Sequence, residues 1–452
     1  MSGQNHAIVI GASMGGLLAA RALADFYQQV TLIERDAFPP IGENRKGVPQ
    51  GQHLHVLLLR GSEILEGMFP GLIADMMARG VPLLDRPEKE LIWFDGGGYH
   101  ARFTNEDGRL GSLAVSRPLL EGYVRQRLLA LPNVTAIEQC DALGLVPSER
   151  AGRVRGVRLV RRAGGSAEEV LEADLVVDAS GRGSRAPRWL EEMGYTPPEE
   201  EQVTMHVGYS TRIYRRRPEH LNGAKAVVIT PQPPQLKRLG VILAQEGERW
   251  IVGLGGALGD YPPSDEEGFL AFARSLAAPE IYNVIKDAEP LSEIVTYRFK
   301  ASRRRRYEKL TRFPEGFLVF GDAICSFNPI YGQGMSVAAM EALDLQHELR
   351  RGGEGLWRRF FRRAARSIDN PWQIVVSKRP ALPGSGRETH TGHPLHQRLH
   401  GAAAQGGAPR PGGGPGLQRG GQPAGPAPEP DAAGDRLAGD VGVIARRKGP
   451  DT

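Results

Sequence analysis

The chain has 452 residues, of which 40% are apolar and 24% charged, so it can bury a sizeable core and is not disordered throughout. Its length predicts about two or three domains, or one large α/β body with an insert. The net charge is +5, but residues 377–452 hold ten basic and six acidic residues. Residues 1–376 therefore carry 47 basic and 46 acidic residues, a balance that argues against a nucleic-acid partner.

The cysteine content and the N-terminus bear on the compartment. Two cysteines, Cys140 and Cys325, are too few for a disulfide framework and fit a reducing environment. The first residues, MSGQNH, lack the basic and apolar regions of a secretory signal. No run of about 18 apolar residues occurs, so we expect a cytoplasmic protein without a membrane span.

A short apolar strand at residues 7–10 begins a predicted dinucleotide-binding unit. The turn GASMGG (residues 11–16) follows at once, and Leu18, Ala22 and Phe26 then recur at helical spacing. A second strand at residues 30–33 ends in Glu34. In this arrangement the glycines let the backbone approach a pyrophosphate, and the acid accepts hydrogen bonds from ribose hydroxyls. Ser13 replaces the middle glycine of the usual GxGxxG pattern.

Two further apolar strands also end in glycine-rich turns. Residues 175–177 lead into DASGRGS, and residues 317–320 lead into GDA, with PIYGQGM a few residues later. A helix is predicted behind PIYGQGM, with an apolar stripe through Ala338, Ala342 and Leu345 that stops before two glycines. Asp322 thus follows a strand, and the glycines let backbone amides and a helix N-terminus approach a negative charge.

The region between residues 204 and 300 has a different pattern. Apolar and polar residues alternate with period two, and glycine and proline separate the runs, which predicts an antiparallel sheet. Four consecutive arginines, Arg303–Arg306, come next. Because the body is nearly neutral, we expect them to form a solvated segment and not a nucleic-acid patch. His53 and His55 lack further ligands at compatible spacing, so no metal site is expected.

Residues 377–452 differ sharply from the body. They contain 17 glycines, 11 prolines and no aromatic residue, so they cannot bury enough apolar area to offset the entropy of ordering. A metal site at His390, His393, His396 and His400 would lack a fold to hold it. Two explanations stay open, a native flexible tail or translation in the wrong frame of GC-rich DNA, and the abrupt change favours the second.

The quoted motifs resemble those of FAD-dependent oxidoreductases of the p-hydroxybenzoate hydroxylase superfamily. GASMGG with IERD, DASGRGS, and GDA with PIYGQGM carry the resemblance, which covers about residues 7–376. RKGVPQGQHLH and ILEGMFPGL are most similar to bacterial flavin-dependent epoxidases and hydroxylases of secondary metabolism. The resemblance implies an α/β fold, with a Rossmann-like FAD-binding domain of the GR2 type, an inserted antiparallel-sheet substrate domain and a disordered C-terminal tail.

Domain boundaries and cofactor contacts follow from this resemblance. We expect an FAD-binding domain over 1–203, with 76–114 contributing to the substrate side, a substrate sheet over 204–300, a return to the FAD-binding domain over 301–376, and the tail over 377–452. Residues lining the substrate side would include Tyr209, Tyr214, Trp250 and Phe299. The residues expected to bind FAD are Gly11, Ser13, Gly16, Glu34, Arg35, Arg117, Asp322, Gly332, Gln333, Gly334 and Met335.

Each group of these residues has an expected place along FAD. The glycine turn is assigned to the pyrophosphate, Glu34 to the adenosine ribose and Asp322 to the ribityl chain. Residues 332–335 are expected against the isoalloxazine, with Arg117 near the flavin. Arg45 is expected to approach the phosphates. The resemblance identifies no catalytic side chain.

The implied reaction is insertion of one oxygen atom from O2 into an apolar alkene or aromatic substrate through a flavin C4a-hydroperoxide. The alternatives are an alkene reductase similar to geranylgeranyl reductases and, if the tail is a frame error, a damaged flavin-binding protein without activity. A halogenase is disfavoured because the WxWxIP signature is missing.

The middle motif bears on the source of electrons. Ser180 replaces the aspartate usual in this family, and Pro187 stands where an arginine is expected, with Arg188 one residue late. Direct use of NAD(P)H is therefore uncertain, and a separate flavin reductase is an alternative donor.

Overall fold

The computed structural model describes residues 4–95, 97–100, 111–149, 152–162, 167–232 and 235–377. The predicted disordered tail, its four histidines and part of segment 76–114 lie outside these ranges. Within them the helices are α1 Met14–Ala24, α2 Leu59–Met68, α3 Leu72–Ala78, α4 Pro87–Glu90, α5 Arg117–Leu129, α6 Ala186–Glu192, α7 Glu266–Arg274, α8 Glu280–Ile285, α9 Gly334–Leu349 and α10 Leu356–Ser377.

The strands divide into two main sheets and two small ones. They are β1 Gln4–Ile10, β2 Tyr27–Ile33, β3 Leu83–Leu84, β4 Leu91–Asp95, β5 Gly98–Tyr99, β6 Ser112–Leu113, β7 Val134–Ile137, β8 Cys140–Pro147, β9 Val154–Arg161, β10 Glu168–Glu172, β11 Leu175–Asp178, β12 Glu200–Arg215, β13 Ala226–Ile229, β14 Arg238–Gln245, β15 Arg249–Ala257, β16 Val295–Arg305, β17 Phe317–Val319 and β18 Cys325–Ser326.

A five-stranded parallel sheet has the strand order β17-β11-β1-β2-β7. Its central strand β1 buries Ala7, Ile8 and Val9 completely, as expected for a parallel strand covered on both faces. Helices α1, α5 and α9 pack near it, and α10 packs on α9. Parallel strands joined by helices place all their carboxyl ends at one edge of the sheet.

An eight-stranded sheet has the order β18-β16-β12-β15-β14-β13-β4-β5. Its strand pairs are antiparallel except for β13 with β4, which run parallel. The outer face of this sheet packs against α7 and α8, where Trp250 and Tyr214 are buried with Phe269 and Phe272. The fold is therefore mixed α/β, with one parallel sheet and a mainly antiparallel one.

The other face of the eight-stranded sheet, which we call the inner face, looks toward the parallel sheet and its helices. Leu54, Val56 and Ala114 pack against it. Residues in register on neighbouring strands share a face of the sheet. By this rule the inner face carries Leu91, Trp93, Val207, Tyr209, Thr211, Ala226, Val228, Leu239, Val241, Leu243, Ile251, Gly253, Gly255, Val295, Tyr297 and Phe299. None of these side chains is charged. The same alternation also brings Asp95, Arg249 and Arg303 to this face, nearer the ends of their strands.

The expectation that Arg303–Arg306 form a solvated segment is wrong. Arg303, Arg304 and Arg305 end strand β16, where they pair with residues 200–202 of β12. Arg304 is only 1% exposed, and its guanidinium lies 2.7 Å from Asp369. Arg305 is also buried and forms an ion pair with Glu200 at 3.1 Å. Acidic groups from β12 and α10 neutralise this run, so its charge is internal to the fold.

Candidate functional site

The three glycine-rich motifs meet at one edge of the parallel sheet. They follow the adjacent strands β1, β11 and β17, and the last residues of those strands are in register, with Ile10 beside Asp178 and Asp178 beside Val319. The carboxyl edge of an open parallel sheet is where such folds bind nucleotides. Three motifs separated by more than 300 residues in the chain therefore form one site.

The turn after β1 depends on two glycines. Gly11 has a φ of +95°, and a Cβ atom there would lie 2.7 Å from the carbonyl oxygen of Ala179. A Cβ atom on Gly16 would lie 1.8 Å from the carbonyl oxygen of Gly11. Helix α1 then begins at Met14 without a side-chain cap, which leaves its first N–H groups free for an anion.

Glu34, the acid that follows β2, already has a hydrogen-bond donor and an ion-pair partner within the protein. Glu34 is buried, accepts a hydrogen bond from the Ala12 N–H at 2.8 Å, and lies 2.7 Å from the guanidinium of Arg45. Arg45 also lies 3.0 Å from Glu121 of α5. It thus bridges two carboxylates, whereas the sequence suggested an approach to the phosphates. Arg35 is exposed and lies 4.0 Å from Asp36.

Helix α5 is tied to the first turn through its N-terminal arginine. Arg117, the first residue of α5, donates to Ser13 Oγ at 2.9 Å and to Glu121 Oε2 at 2.8 Å. Burial alone would raise the pKa of Glu121, but the charges of Arg117 and Arg45 outweigh it and lower that pKa. Glu121 was not among the predicted site residues, although an Arg–Glu pair at i,i+4 on a predicted helix could have indicated it.

In the DASGRGS turn, two serines donate hydrogen bonds to the aspartate that begins the motif. Asp178 is fully buried and accepts hydrogen bonds from the backbone N–H and hydroxyl of Ser180 and from the hydroxyl of Ser184. Arg182, within the turn, donates to Ser326 Oγ at 2.7 Å and lies over the ring of Phe299. The turn therefore connects the parallel sheet to the eight-stranded sheet.

Asp322 lies in the turn directly after β17. Its side chain is exposed to the cleft between the sheets, yet enough protein surrounds it for burial to raise its pKa, against the opposing charges of Arg182, Arg117 and Arg303. Behind this turn, the backbone N–H of Gly321 donates to Glu341 of α9 at 2.7 Å. A carboxylate at this position can accept hydrogen bonds from hydroxyl groups of a ligand in the cleft.

The segment PIYGQGM ends where α9 begins. Gly332 has a φ of +60°, and α9 begins at Gly334 without a side-chain cap, so its first N–H groups are free. Gln333 Oε1 and Ser336 Oγ are buried and have no hydrogen-bond partner among the described residues. These unpartnered groups lie at the helix end where the resemblance expects the isoalloxazine ring.

The segment from His53 to Val56 lies between the two sheets and was not predicted to contribute to the site. His53 Nδ1 is 2.9 Å from the hydroxyl of Thr211 on the inner face. A Cβ atom added to Gly253 would lie 3.5 Å from Leu54, and one added to Gly332 would lie 3.4 Å from Val56, so this segment runs close to both glycines. Among the predicted lining residues, Tyr209 and Phe299 lie on the inner face, whereas Tyr214 and Trp250 belong to the core on the outer face.

These features fit a bound FAD. The site combines glycines where a Cβ atom would clash, the uncapped N-termini of α1 (11 residues) and α9 (16 residues), the exposed acid Asp322 after β17, and unpartnered polar atoms. In the described part of the chain no cluster of metal-binding side chains occurs. No helix in the described ranges is long and apolar enough to cross a membrane.

Comparisons with known proteins agree with this site. The chain is 40% identical over 355 residues to Protein Rv3254 of Mycobacterium tuberculosis, covering 77% of this chain and 73% of the relative. It is 26% identical to a kynurenine 3-monooxygenase of Salinispora arenicola, over 74% of this chain and 70% of that protein. No protein-family model matches the chain.

A solved structure shares the fold. The structure of pqsL of Pseudomonas aeruginosa, described as a probable FAD-dependent monooxygenase, superposes with a TM-score of 0.63 at 19% identity. The match covers 82% of this chain and 94% of that one. The fold and the site together define an FAD-dependent oxidoreductase. The chain belongs to the FAD-dependent monooxygenase superfamily, in the same family as the mycobacterial relative.

Proposed function

We propose that this protein inserts one oxygen atom from O2 into an apolar alkene or aromatic substrate, as an epoxidase or hydroxylase. The observation that carries the proposal is the mainly apolar centre of the inner face of the eight-stranded sheet, which borders the proposed FAD site, while Arg182 and Arg303 lie on its β16 side. Trp93, Tyr209, Val228, Val241 and Tyr297 on this face are only half-buried, so apolar surface remains accessible there. Burying apolar surface against it favours a substrate without charge.

The cofactor site and the inner face would work as two walls of one cleft. The carboxyl edge of the parallel sheet holds FAD through the glycine turn, Asp322 and the N-terminus of α9. Once reduced by its electron donor, bound FAD would pass electrons to O2 and so activate it. The N-terminus of α9 would stabilise negative charge placed against it.

Exclusion of water is the second task of the protein. Leu54 and Val56 cover the inner face between His53 and the PIYGQGM segment, so an apolar molecule on that face is shielded by apolar side chains. The hydroxyl of Tyr209, which donates to Asn328, keeps its own polar group paired. No side chain at the apolar centre of the inner face is an obvious acid or base, which fits a reaction in which the cofactor supplies the chemistry.

We propose further that electrons come from a separate reductase. Arg188, the arginine nearest to the family's expected position, is exposed on α6 and forms an ion pair with Glu192 at 2.8 Å. Ser180 and Ser184 are occupied by Asp178. These contacts disfavour binding of a nicotinamide dinucleotide by these groups.

The experiment uses the FAD-loaded protein, an external flavin reductase, isotopically labelled dioxygen and a panel of apolar alkenes and arenes. We expect the product of at least one substrate to contain one labelled oxygen atom. A product that gains hydrogen without oxygen would instead identify an alkene reductase. Reduction of FAD followed by reoxidation with no product from any substrate in the panel would contradict oxygen insertion into this substrate class.

A further inference from the structure

His55 has no role in the site described so far, and its surroundings place it in the FAD cleft. Its neighbours Leu54 and Val56 lie where a Cβ atom on Gly253 of the sheet and on Gly332 of the PIYGQGM segment would touch them, respectively. The charges of Arg117 and Glu121 on α5 act on the imidazole, so the ring lies near the helix end that contacts the glycine turn. His55 is half-buried and lies between residues that contact the eight-stranded sheet and the PIYGQGM segment.

The hydrogen bond that His55 makes fixes its tautomer. Nδ1 lies 2.9 Å from the backbone carbonyl oxygen of His53, and a carbonyl oxygen can only accept, so Nδ1 carries the proton. Burial, together with the charge of Arg117, lowers the pKa of His55 to about 4, so the ring is neutral near pH 7. Nε2 then has a lone pair that a donor group of a ligand can approach.

The segment that contains His53 and His55 is also held by contacts with the eight-stranded sheet. His53 is held by the hydroxyl of Thr211 and packs against the ring of Tyr297 at 5.6 Å between centroids. The carbonyl group that orients His55 therefore belongs to a residue anchored on the eight-stranded sheet. Such an anchored partner holds an imidazole in one tautomer and one orientation.

We propose that His55 is an FAD-binding residue, in which Nε2 accepts a hydrogen bond from an N–H or O–H group of the cofactor. The cofactor is favoured over the substrate because Val56, the next residue in the chain, lies beside Gly332, in the segment expected against the isoalloxazine. The assignment depends on FAD as the ligand and is independent of whether oxygen or hydride is transferred.

The test measures the dissociation constant for FAD by flavin fluorescence, together with the visible spectrum of the bound flavin. His55→Phe keeps an aromatic ring but removes the acceptor, and we expect FAD to bind about tenfold more weakly. His55→Gln retains an acceptor oxygen and is expected to stay within about threefold of the unaltered protein. His347→Gln, on the exposed surface of α9, is the control and should change neither value.

Two outcomes would overturn the assignment. One is an unchanged dissociation constant and an unchanged flavin spectrum in folded His55→Phe protein. The other is unchanged FAD binding with weaker binding of a substrate identified in the labelling experiment, which would move the acceptor to the substrate. If His55→Phe does not fold, His55→Asn, whose shorter side chain reaches less far, takes its place with the same expected loss. No turnover is needed, so failure of oxygen insertion would not affect the result.

Discussion

Ser13 Oγ donates a hydrogen bond to Glu121 Oε2 at 3.0 Å and accepts one from Arg117, so the residue that departs from the GxGxxG pattern joins the dinucleotide turn to helix α5. A glycine at this position could make neither bond. The departure therefore adds a connection between two elements that are more than 100 residues apart in the chain.

Ser13→Ala should lower the free energy of unfolding by about 1 kcal/mol, because Arg117 and Glu121 lose a shared partner but retain their own ion pair. Urea denaturation followed by circular dichroism measures the change. Ser264→Ala is a suitable control, since Ser264 is exposed in the loop before α7. Equal midpoints for both variants would show that the Ser13 hydrogen bonds contribute nothing measurable.

Gly11→Ala should abolish tight FAD binding or weaken it at least tenfold. The substitution forces an L-residue into a φ of +95° and places a methyl group 2.7 Å from the Ala179 carbonyl oxygen, in the turn that must approach the pyrophosphate. Isothermal titration with FAD provides the measurement. Gly67→Ala, at an exposed position of helix α2 with nothing within 4 Å of the added methyl, should bind FAD normally. Normal FAD binding by Gly11→Ala would remove the turn from the cofactor site.

A charge on the inner face should block an apolar substrate. Val295→Glu places a carboxylate on that face, where desolvating it opposes binding, and we expect product formation to fall at least tenfold with FAD binding retained. Thr296→Glu is the matched control, because this neighbour on the same strand is exposed on the opposite face. Equal loss in both variants would point to a general effect on β16 and not to a substrate surface.

The buried carboxyl group of Glu341 predicts a specific pH dependence. Burial raises the pKa of Glu341 from 4.5 to about 8, so the folded protein binds a proton that the unfolded chain releases above about pH 4.5. The stability that this proton contributes is complete below that pH and is lost as the pH rises through about 8. Glu341→Gln cannot titrate, and its free energy of unfolding should fall less over this range.

Chemical denaturation at several pH values between about 5 and 9 tests this difference. Glu354→Gln, which removes an exposed carboxylate, should follow the unaltered protein. Parallel stability curves for Glu341→Gln and the unaltered protein would mean that Glu341 remains ionised in the folded state.

The source of electrons can be tested directly. With NADH or NADPH alone, we expect FAD in the purified protein to be reduced slowly, and an added flavin reductase should accelerate reduction at least tenfold, because Arg188 is held by Glu192 on the surface. Anaerobic absorbance at the flavin band measures both rates. Rapid reduction by either nucleotide alone would contradict a separate donor.

The strands, turn and helix that border the proposed FAD site could be predicted from the sequence pattern alone. The strand at residues 7–10, the glycine turn, the acid after β2 and the helix after Gly334 all form where predicted, because short-range pattern and glycine geometry decide them. Helix α1 ends at Ala24, so Phe26 lies just beyond it. The predicted domain boundaries stay predictions, and so do the contacts assigned to individual FAD-binding residues.

The contacts between side chains that are distant in the sequence became visible in the tertiary structure. Tyr209 and Tyr214 lie on the same strand with the same alternating pattern, but an odd separation of five places them on opposite faces, one toward the cleft and one in the core. The acids that neutralise Arg303–Arg306 come from β12 and α10, and Arg45 reaches Glu34 and Glu121 from a loop. Long-range ion pairs such as these follow from how the chain packs, and a one-dimensional pattern carries no information on the partner.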